Sequence, residues 1–494
     1  MATLYTHPMR KLTLKFPKFC QVRKPPNRLR PFASHSYPST QSSYVEDSEA
    51  EGIEHSEDKE CRGTQSEASR KSSYFPKKGQ ILELVCESLA YKGQGICKVA
   101  ETGFVVLCDR ALPGERFTGR IVRKKGSYAE AKKLETLSPH WDVVDAPCEY
   151  ASYCGGCKTQ NLAYEAQLRA KEYQVRDLII HVGKFSDEVQ ELSSIVKHIV
   201  PCDIQFHYRN KMEFSFAPER WLLEKPQGKK QDGRENYALG LHAPGFFDKV
   251  LNVNQCWLQS EPANAVLKVV QDSWRDPSLG ILPYDVHSHA GFLKHLMIRT
   301  GRNGKTGRLE VMVNFVTSSY KQELLEPLVN KIASIPEVVS IVNNVNTSVG
   351  NTSIGEEEYT LFGMSTITES LRGLTFQISA NSFFQTNTRQ AEVLYELIED
   401  FAGLKGDGSE VVLDLFCGTG TIGLTLAKKV KHVYGYEVVP QAVSDAVHNA
   451  MLNSIQNATF VQGDLNKIDQ SFGCSLPKPD IVISGKIQTG QACT

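Results

Sequence analysis

Three cysteines fall within ten residues, in the pattern Cys148-x5-Cys154-Gly155-Gly156-Cys157, and the two glycines let the backbone fold tightly around whatever the sulfurs hold. Clustered thiolates point to metal, and either Cys202 or Cys256 is placed to add a fourth. Four thiolates suit tetrahedral zinc or an iron–sulfur cluster. Zinc sites usually show two CxxC pairs, whereas three close ligands and one distant ligand are common for a four-iron cluster. Reduced structural cysteines are the third option. Thirteen cysteines in 494 residues are too few for a disulfide scaffold.

A second group of residues has a different chemistry. Val411 to Phe416 reads as a buried parallel strand that runs into Cys417-Gly418-Thr419-Gly420-Thr421-Ile422-Gly423, and a helix follows. Strand, glycine turn and helix start make a nucleotide-type binding unit, because glycine lets the backbone approach the ligand. His432 to Glu437 is a second strand, ending in an acid nineteen residues past Gly418 that can accept hydrogen bonds from both ribose hydroxyls. Pro440 to Asn453 reads as a helix and Ala458 to Val461 as a third strand, with Asp464 just beyond it. Gly418, Gly420 and Gly423 satisfy GxGxxG, so a dinucleotide competes. Asp414 behind the turn and Asp464 after the third strand favour S-adenosylmethionine, the former supporting the loop and the latter reaching the adenine.

These residues need elements to position them, and 494 residues imply more than one core. Residues 1–44 hold eight Lys/Arg, no acid and a hydroxyl-rich end, the composition of a transit peptide. Plastid is expected ahead of mitochondrion; an uncleaved basic arm is the alternative. Residues 45–76 are acidic and polar and read as a linker, with eight acids from Glu46 to Glu60. Alternating strands at Gln80–Ser88, Phe104–Leu107 and Phe117–Val122, with glycine turns between, predict a small β-barrel. Seven Lys/Arg lie between Arg116 and Lys133 against the single acid Glu130. Such a strip can hold phosphates, although a solvated face is the ordinary reading.

The central region mixes strands and helices. An apolar stripe at Leu162, Leu168, Tyr173 and Leu178 predicts a helix with those residues in the core. His207 to Phe216 interleaves Arg and Lys with aromatics on a strand, a mix that suits base stacking or a half-buried strand with a charged outer face. Glu224–Asn236 reads as a loop. Strands are predicted at Leu293–Thr300, Arg308–Phe315 and Val338–Asn343, with a helix over Gln322–Ile335. No apolar run approaches the ~20 residues of a membrane helix.

From about Lys77 to Ser484 the chain resembles the RNA 5-methyluridine (uracil-5-) methyltransferases. The barrel, the Cys148/Cys154/Cys157 motif, Phe383-Phe384-Gln385-Thr386-Asn387 and Asp414-Leu415-Phe416-Cys417-Gly418 match in order. The resemblance implies a multidomain chain: a TRAM/OB-like barrel over 77–138, a central α+β iron–sulfur domain over 139–375, and a Rossmann-like α/β methyltransferase domain over 376–494. It makes Cys256 the fourth ligand of a [4Fe-4S] cluster with Cys148, Cys154 and Cys157. It assigns S-adenosylmethionine contacts to Gln385, Phe416, Thr421, Glu437 and Asp464, beside the turn glycines Gly418 and Gly420. Thr421 and Asp464 stand where some relatives carry Asn.

The family reaction adds a cysteine thiolate to C6 of uracil, making C5 nucleophilic toward the donor methyl, and a carboxylate then removes the C5 proton. In the family the fourth strand ends in Asp-Pro, and a Ser-Cys-Asn-Pro nucleophile motif and the base come later. Here Gly485 stands where that Asp is expected, and no Ser-Cys-Asn-Pro occurs. The expectation is therefore a plant organellar member, truncated after the fourth strand, with no catalytic residue present and no activity. Gly485-Lys486 can be encoded by GGTAAA, a guanine joined to an intron start, so that residues 485–494 read as translated intron. RNA (tRNA or rRNA) is the expected partner and a monomer the expected state. A noncatalytic RNA-binding protein and an NAD-type oxidoreductase are the competing readings.

Overall fold

The computed structural model describes residues 3–6, 75–99, 102–185, 196–221, 233–350, 352–464 and 478–485. The expected leader beyond Thr6, the linker up to residue 74, and the segments 222–232, 465–477 and 486–494 lie outside the described residues. Thr3–Thr6 forms strand β1. The chain divides into two units, one of residues 14–143 with 173–184, the other of residues 1–13, 144–172 and 185–494.

In the smaller unit β2 (Ile81–Leu89), β3 (Gln94–Lys98), β4 (Val105–Asp109), β5 (Arg116–Lys124) and β6 (Ala129–Ser138) close a barrel in the order β2-β3-β4-β6-β5. The period-two alternation read from the sequence is the cause: Leu84, Cys97, Val106 and Phe117 turn inward and are fully buried. Gly95 is required where the wall is tightest, since a Cβ there would lie 2.7 Å from the Ala111 methyl. The basic strip is only partly available. Lys133 bonds the buried Glu115, which also accepts from Leu112 N and Thr136 Oγ1. Arg116 pairs with Glu83 and Arg123 with Glu130. Lys124 lies over the Phe75 ring at 4.7 Å, and Arg120, Lys125 and Lys132 are exposed.

Helix α1 covers Tyr164–Asp177 and continues as one π-turn over Leu178–Val182. The expected apolar stripe is corrected here. Leu162 is buried, but Tyr173 is 52% and Leu178 51% exposed. Helical spacing shows that residues share a face; it does not show that the face is covered.

In the larger unit a seven-stranded sheet is built from β7 (Lys211–Ala217), β8 (Ala238–His242), β9 (Val250–Asn252), β10 (Leu293–Arg302), β11 (Leu309–Thr317), β12 (Val338–Val345) and β13 (Glu357–Gly363), in the order β13-β12-β11-β10-β7-β8-β9. Helices α2 (Glu261–Ser273) and α3 (Gln322–Ile332) bury Leu267, Val270, Leu325 and Leu328 in its core with Phe214 and Phe315. Strand β11 runs parallel to β12, and α3 makes the crossover that such a pair requires. The strand expected from His207 begins only at Lys211, with Phe214 fully buried and Lys211 and Glu213 half-buried on its other face. On that face Ser215 and Ala217 are buried as well, and Lys211 and Glu213 line a cavity.

A hairpin of β14 (Thr366–Leu371) and β15 (Leu374–Ser379) precedes α4 (Thr388–Ala402). Asn387 caps α4 by accepting from Gln390 N at 3.0 Å, and Gly403 ends it at φ +60°. The remaining elements alternate: β16 (Val411–Leu415), α5 (Thr421–Leu426), β17 (His432–Glu437), α6 (Pro440–Leu452), β18 (Ala458–Gln462) and β19 (Ile481–Ser484). The sheet order is β1-β19-β16-β17-β18, with β16 to β19 parallel and β1 antiparallel to β19. The outer edge of β19 is covered by β1, with Thr3 opposite Ser484 and Thr6 opposite Ile481.

Candidate functional site

The glycine turn follows β16 directly. Asp414, 1% exposed, sits beneath it, and its Oδ2 accepts from Gly423 N at 2.9 Å. Burial, opposed by that bond and joined by the charge of Glu437, pushes the Asp414 carboxyl up to about 7. Phe416 takes φ +61°, a left-handed conformation unusual for a bulky residue, and its N–H bonds Tyr436 O at 2.8 Å. Gly418 (φ +55°) and Gly420 (φ +78°) complete the turn. A Cβ at Gly420 would meet the Phe460 ring at 2.9 Å, whereas one at Gly418 would meet nothing within 4 Å.

Glu437 closes the opposite wall. Its Oε2 accepts from Gly418 N at 3.1 Å, and its Oε1 accepts from Val438 N and Val439 N at 2.8 and 3.0 Å. The carboxylate is thus held at the turn by three backbone N–H groups. Thr421 bonds the Tyr395 hydroxyl at 2.8 Å, and Asn449 Nδ2 donates to Thr419 O at 3.3 Å. Gly463 N donates to Glu437 O, which brings the half-buried Asp464 to the same end of the sheet. Gly485 N donates to Leu415 O, and a Cβ there would be 3.6 Å from Phe416 O, so the position beside the turn has room for a side chain. Cys417 is buried, and burial pushes its thiol far up, which disfavours the thiolate.

The cysteines meet elsewhere in the same unit. Cys148, Cys154, Cys157 and Cys256 all line one cavity of about 530 Å³. Gly155 is required because a Cβ would lie 2.6 Å from His242 O. Gly156 N donates to Cys154 Sγ at 3.3 Å, and Gln160 receives Cys148 N while donating to Cys157 Sγ. Asn264 fixes Cys256 from both sides, accepting from its N–H at 2.9 Å and donating to its carbonyl at 3.1 Å. Burial raises the Cys148 and Cys256 thiols and pushes Cys157 up to about 12, the other cysteines adding to each shift on Cys157 and Cys256. Cys202 is not in this wall; its thiol bonds Ile204 O. The described cysteines are all thiols, and among the described residues no three His, Cys, Asp or Glu are arranged around a single metal ion.

A loop on the cysteine cavity leads into α4, whose Tyr395 bonds Thr421 of the turn. Phe383, Phe384 and Thr386 line the cysteine cavity, and Gln385 lies between them. Asn210 holds this loop by donating to Gln385 O at 2.8 Å and to Thr388 Oγ1 at 2.9 Å. Asn210, Tyr395 and Arg299, which also lines the cavity, were not singled out by the sequence. Arg299 left one trace there, a charge directly after the apolar run Leu296-Met297-Ile298.

Residues 407–492 match the family described as "Methyltransferase domain". An uncharacterized RNA methyltransferase of Chlorobaculum tepidum is 39% identical over 419 residues, covering 84% of each chain. One of Halalkalibacterium halodurans is 34% identical over 82% of each. The crystal structure of Pyrococcus abyssi tRNA (uracil-54, C5)-methyltransferase with S-adenosyl-L-homocysteine superposes with a TM-score of 0.58 at 24% identity, covering 79% of this chain and 81% of that one. The fold is that of a methyltransferase. The chain belongs to the RNA methyltransferase family.

Proposed function

We propose that this family member serves the transfer of methyl from S-adenosylmethionine to C5 of a uridine in tRNA or rRNA. The observation that carries this reading is the Phe383–Thr386 loop: Phe383, Phe384 and Thr386 line the cysteine cavity, and between them in sequence stands Gln385, a donor contact by resemblance. The Pyrococcus abyssi protein of like fold acts on a tRNA uracil at C5. C5 of uracil is a weak nucleophile, so the reaction needs a thiolate at C6 and a base for the C5 proton. In this chain Glu437 and the turn bind and orient the donor, and exposed basic residues of the barrel hold RNA phosphates. No described cysteine fits the nucleophile's part, since Cys417 is buried in the turn and the cavity cysteines have another use. Residues 1–494 also hold no Ser-Cys-Asn-Pro, so we expect no methyl transfer by this polypeptide alone.

A [4Fe-4S] cluster fits the donor set: four sulfurs on one cavity, backed by N–H groups, at Cys148, Cys154, Cys157 and Cys256. In such a cluster each sulfur binds a different iron, so the thiols need not converge on one ion. When bound it would supply a rigid cross-link between the two ends of the motif and one-electron chemistry. Residues 1–44 direct the protein to plastids, tested by fusion to a reporter; a cytosolic reporter would exclude this.

The test is labelled methyl transfer to uracil-containing RNA, followed by hydrolysis to nucleosides. Residues 1–494 should give no product, and a polypeptide extended by the family's Ser-Cys-Asn-Pro segment should give 5-methyluridine. Another methylated nucleoside, or turnover by residues 1–494, would contradict the reading. RNA binding without methylation in both would favour the noncatalytic alternative.

A further inference from the structure

The cysteine cavity has a second set of residues with no assigned use. Its charged lining is Arg209, Lys211, Glu213 and Arg299, three cations against one carboxylate. Arg299 on β10 stands directly opposite Lys211 on β7 in the antiparallel register. Like charges so placed destabilise a sheet, and burial magnifies the effect. Arg299 is 3% exposed, and its Nε has no hydrogen-bond partner among the described residues, while its terminal nitrogen donates to Ser382 O. Glu213 is 3.9 Å from Lys211, a long contact for the one acid present. Ser382 O and the single nearby carboxylate of Glu213 leave this wall net positive, so the arrangement suits an anion in the cavity. Burial holds Lys211 below its ordinary range, and both arginines add to this.

We propose that Arg299, Lys211 and Arg209 form a cationic wall that balances the charge of a thiolate-bound iron–sulfur cluster and thereby sets its retention and reduction potential. The inference rests on the cluster reading above. Four thiolates outweigh the iron–sulfide core, leaving the whole group negative, and nearby charge is one of the factors that set a cluster's potential. Arg209 lines the same cavity as Cys157. An RNA phosphate is a weaker candidate for so deeply buried a cation as Arg299. These are tuning residues, and they touch no reacting atom.

The test uses the full chain purified without oxygen, as wild type, Lys211→Met, Arg299→Met and Arg299→Lys. The readouts are iron and sulfide content, the potential in a dithionite titration followed by visible absorbance, and the rate of iron loss to a chelator. Both Met variants should titrate at lower potential, because removing positive charge disfavours the added electron, and should lose iron several-fold faster. Arg299→Lys should restore both properties toward wild type. Lys211 is half-buried, so its variant decides the matter if Arg299→Met does not fold by circular dichroism. Unchanged potential and iron loss in a folded Lys211→Met protein would overturn the proposal, as would Met variants whose only defect is weaker RNA binding. Wild type without iron would instead overturn the cluster reading itself.

Discussion

The two turn glycines provide a controlled comparison, because both take left-handed φ and only one is crowded. Replacing Gly418 (φ +55°) by Ala adds a methyl that meets nothing within 4 Å. Its cost is conformational, about 1–2 kcal/mol. Gly420→Ala (φ +78°) has the same cost and also places a methyl 2.9 Å from the Phe460 ring and 3.1 Å from the Ala446 methyl. Overpacking of that kind adds about 1–3 kcal/mol. The structure therefore ranks Gly420→Ala as the more damaging by about the overpacking cost, roughly tenfold or more in the folding equilibrium. Urea unfolding of both variants measures the difference, and S-adenosylmethionine titration should follow the same order as the turn is displaced. Phe460→Leu in the Gly420→Ala background removes the ring and should recover part of the loss, a coupling that a double-mutant cycle isolates. Equal costs for the two glycines, or no recovery in the double variant, would refute the reasoning.

The buried Asp414 makes stability depend on pH. Its folded-state value, about 7, lies above the unfolded carboxyl, so its contribution is complete at low pH and is lost as pH rises through 7. Relative to Asp414→Asn, the wild type should lose about 3 kcal/mol between pH 5 and 8 in urea unfolding, and a pH-independent difference would reject this. Lys124→Ala with Lys125→Ala and Lys132→Ala should weaken RNA binding and flatten its salt dependence by about 2 in logarithmic slope, whereas an unchanged slope would make the strip a solvated face. The anaerobically purified protein should contain about four irons, and Cys154→Ser should lose them; stoichiometric zinc would show a different site.

Much of this arrangement was legible because its causes are local. Period-two alternation in Ile81–Leu89 and the apolar run Val411–Leu415 gave strands within a residue or two of those observed. The glycine turn was readable because φ above zero demands particular residues. What escaped depends on partners distant in sequence. Nothing local says that Arg299 will face Lys211, because register between β7 and β10 is set by the whole sheet. The Asn210 bond to Gln385 spans 175 positions, and the pairing of Thr3–Thr6 with Ile481–Ser484 spans nearly the full chain. Tyr173 and Leu178 failed for the complementary reason: apolar spacing was present, and among the described residues no covering surface was.

The claim on which the rest depends is that the turn from Phe416 to Gly423 and the Glu437 carboxylate bind a methyl donor. Calorimetric titration of the 494-residue protein with S-adenosylmethionine and with NAD, repeated on Glu437→Gln, tests it most directly. The account predicts saturable S-adenosylmethionine binding, none with NAD, and a loss of roughly tenfold or more in the variant, from hydrogen bonds to a charged group worth about 1.5–3 kcal/mol. Tighter binding of NAD, or donor affinity indifferent to Glu437, would contradict it.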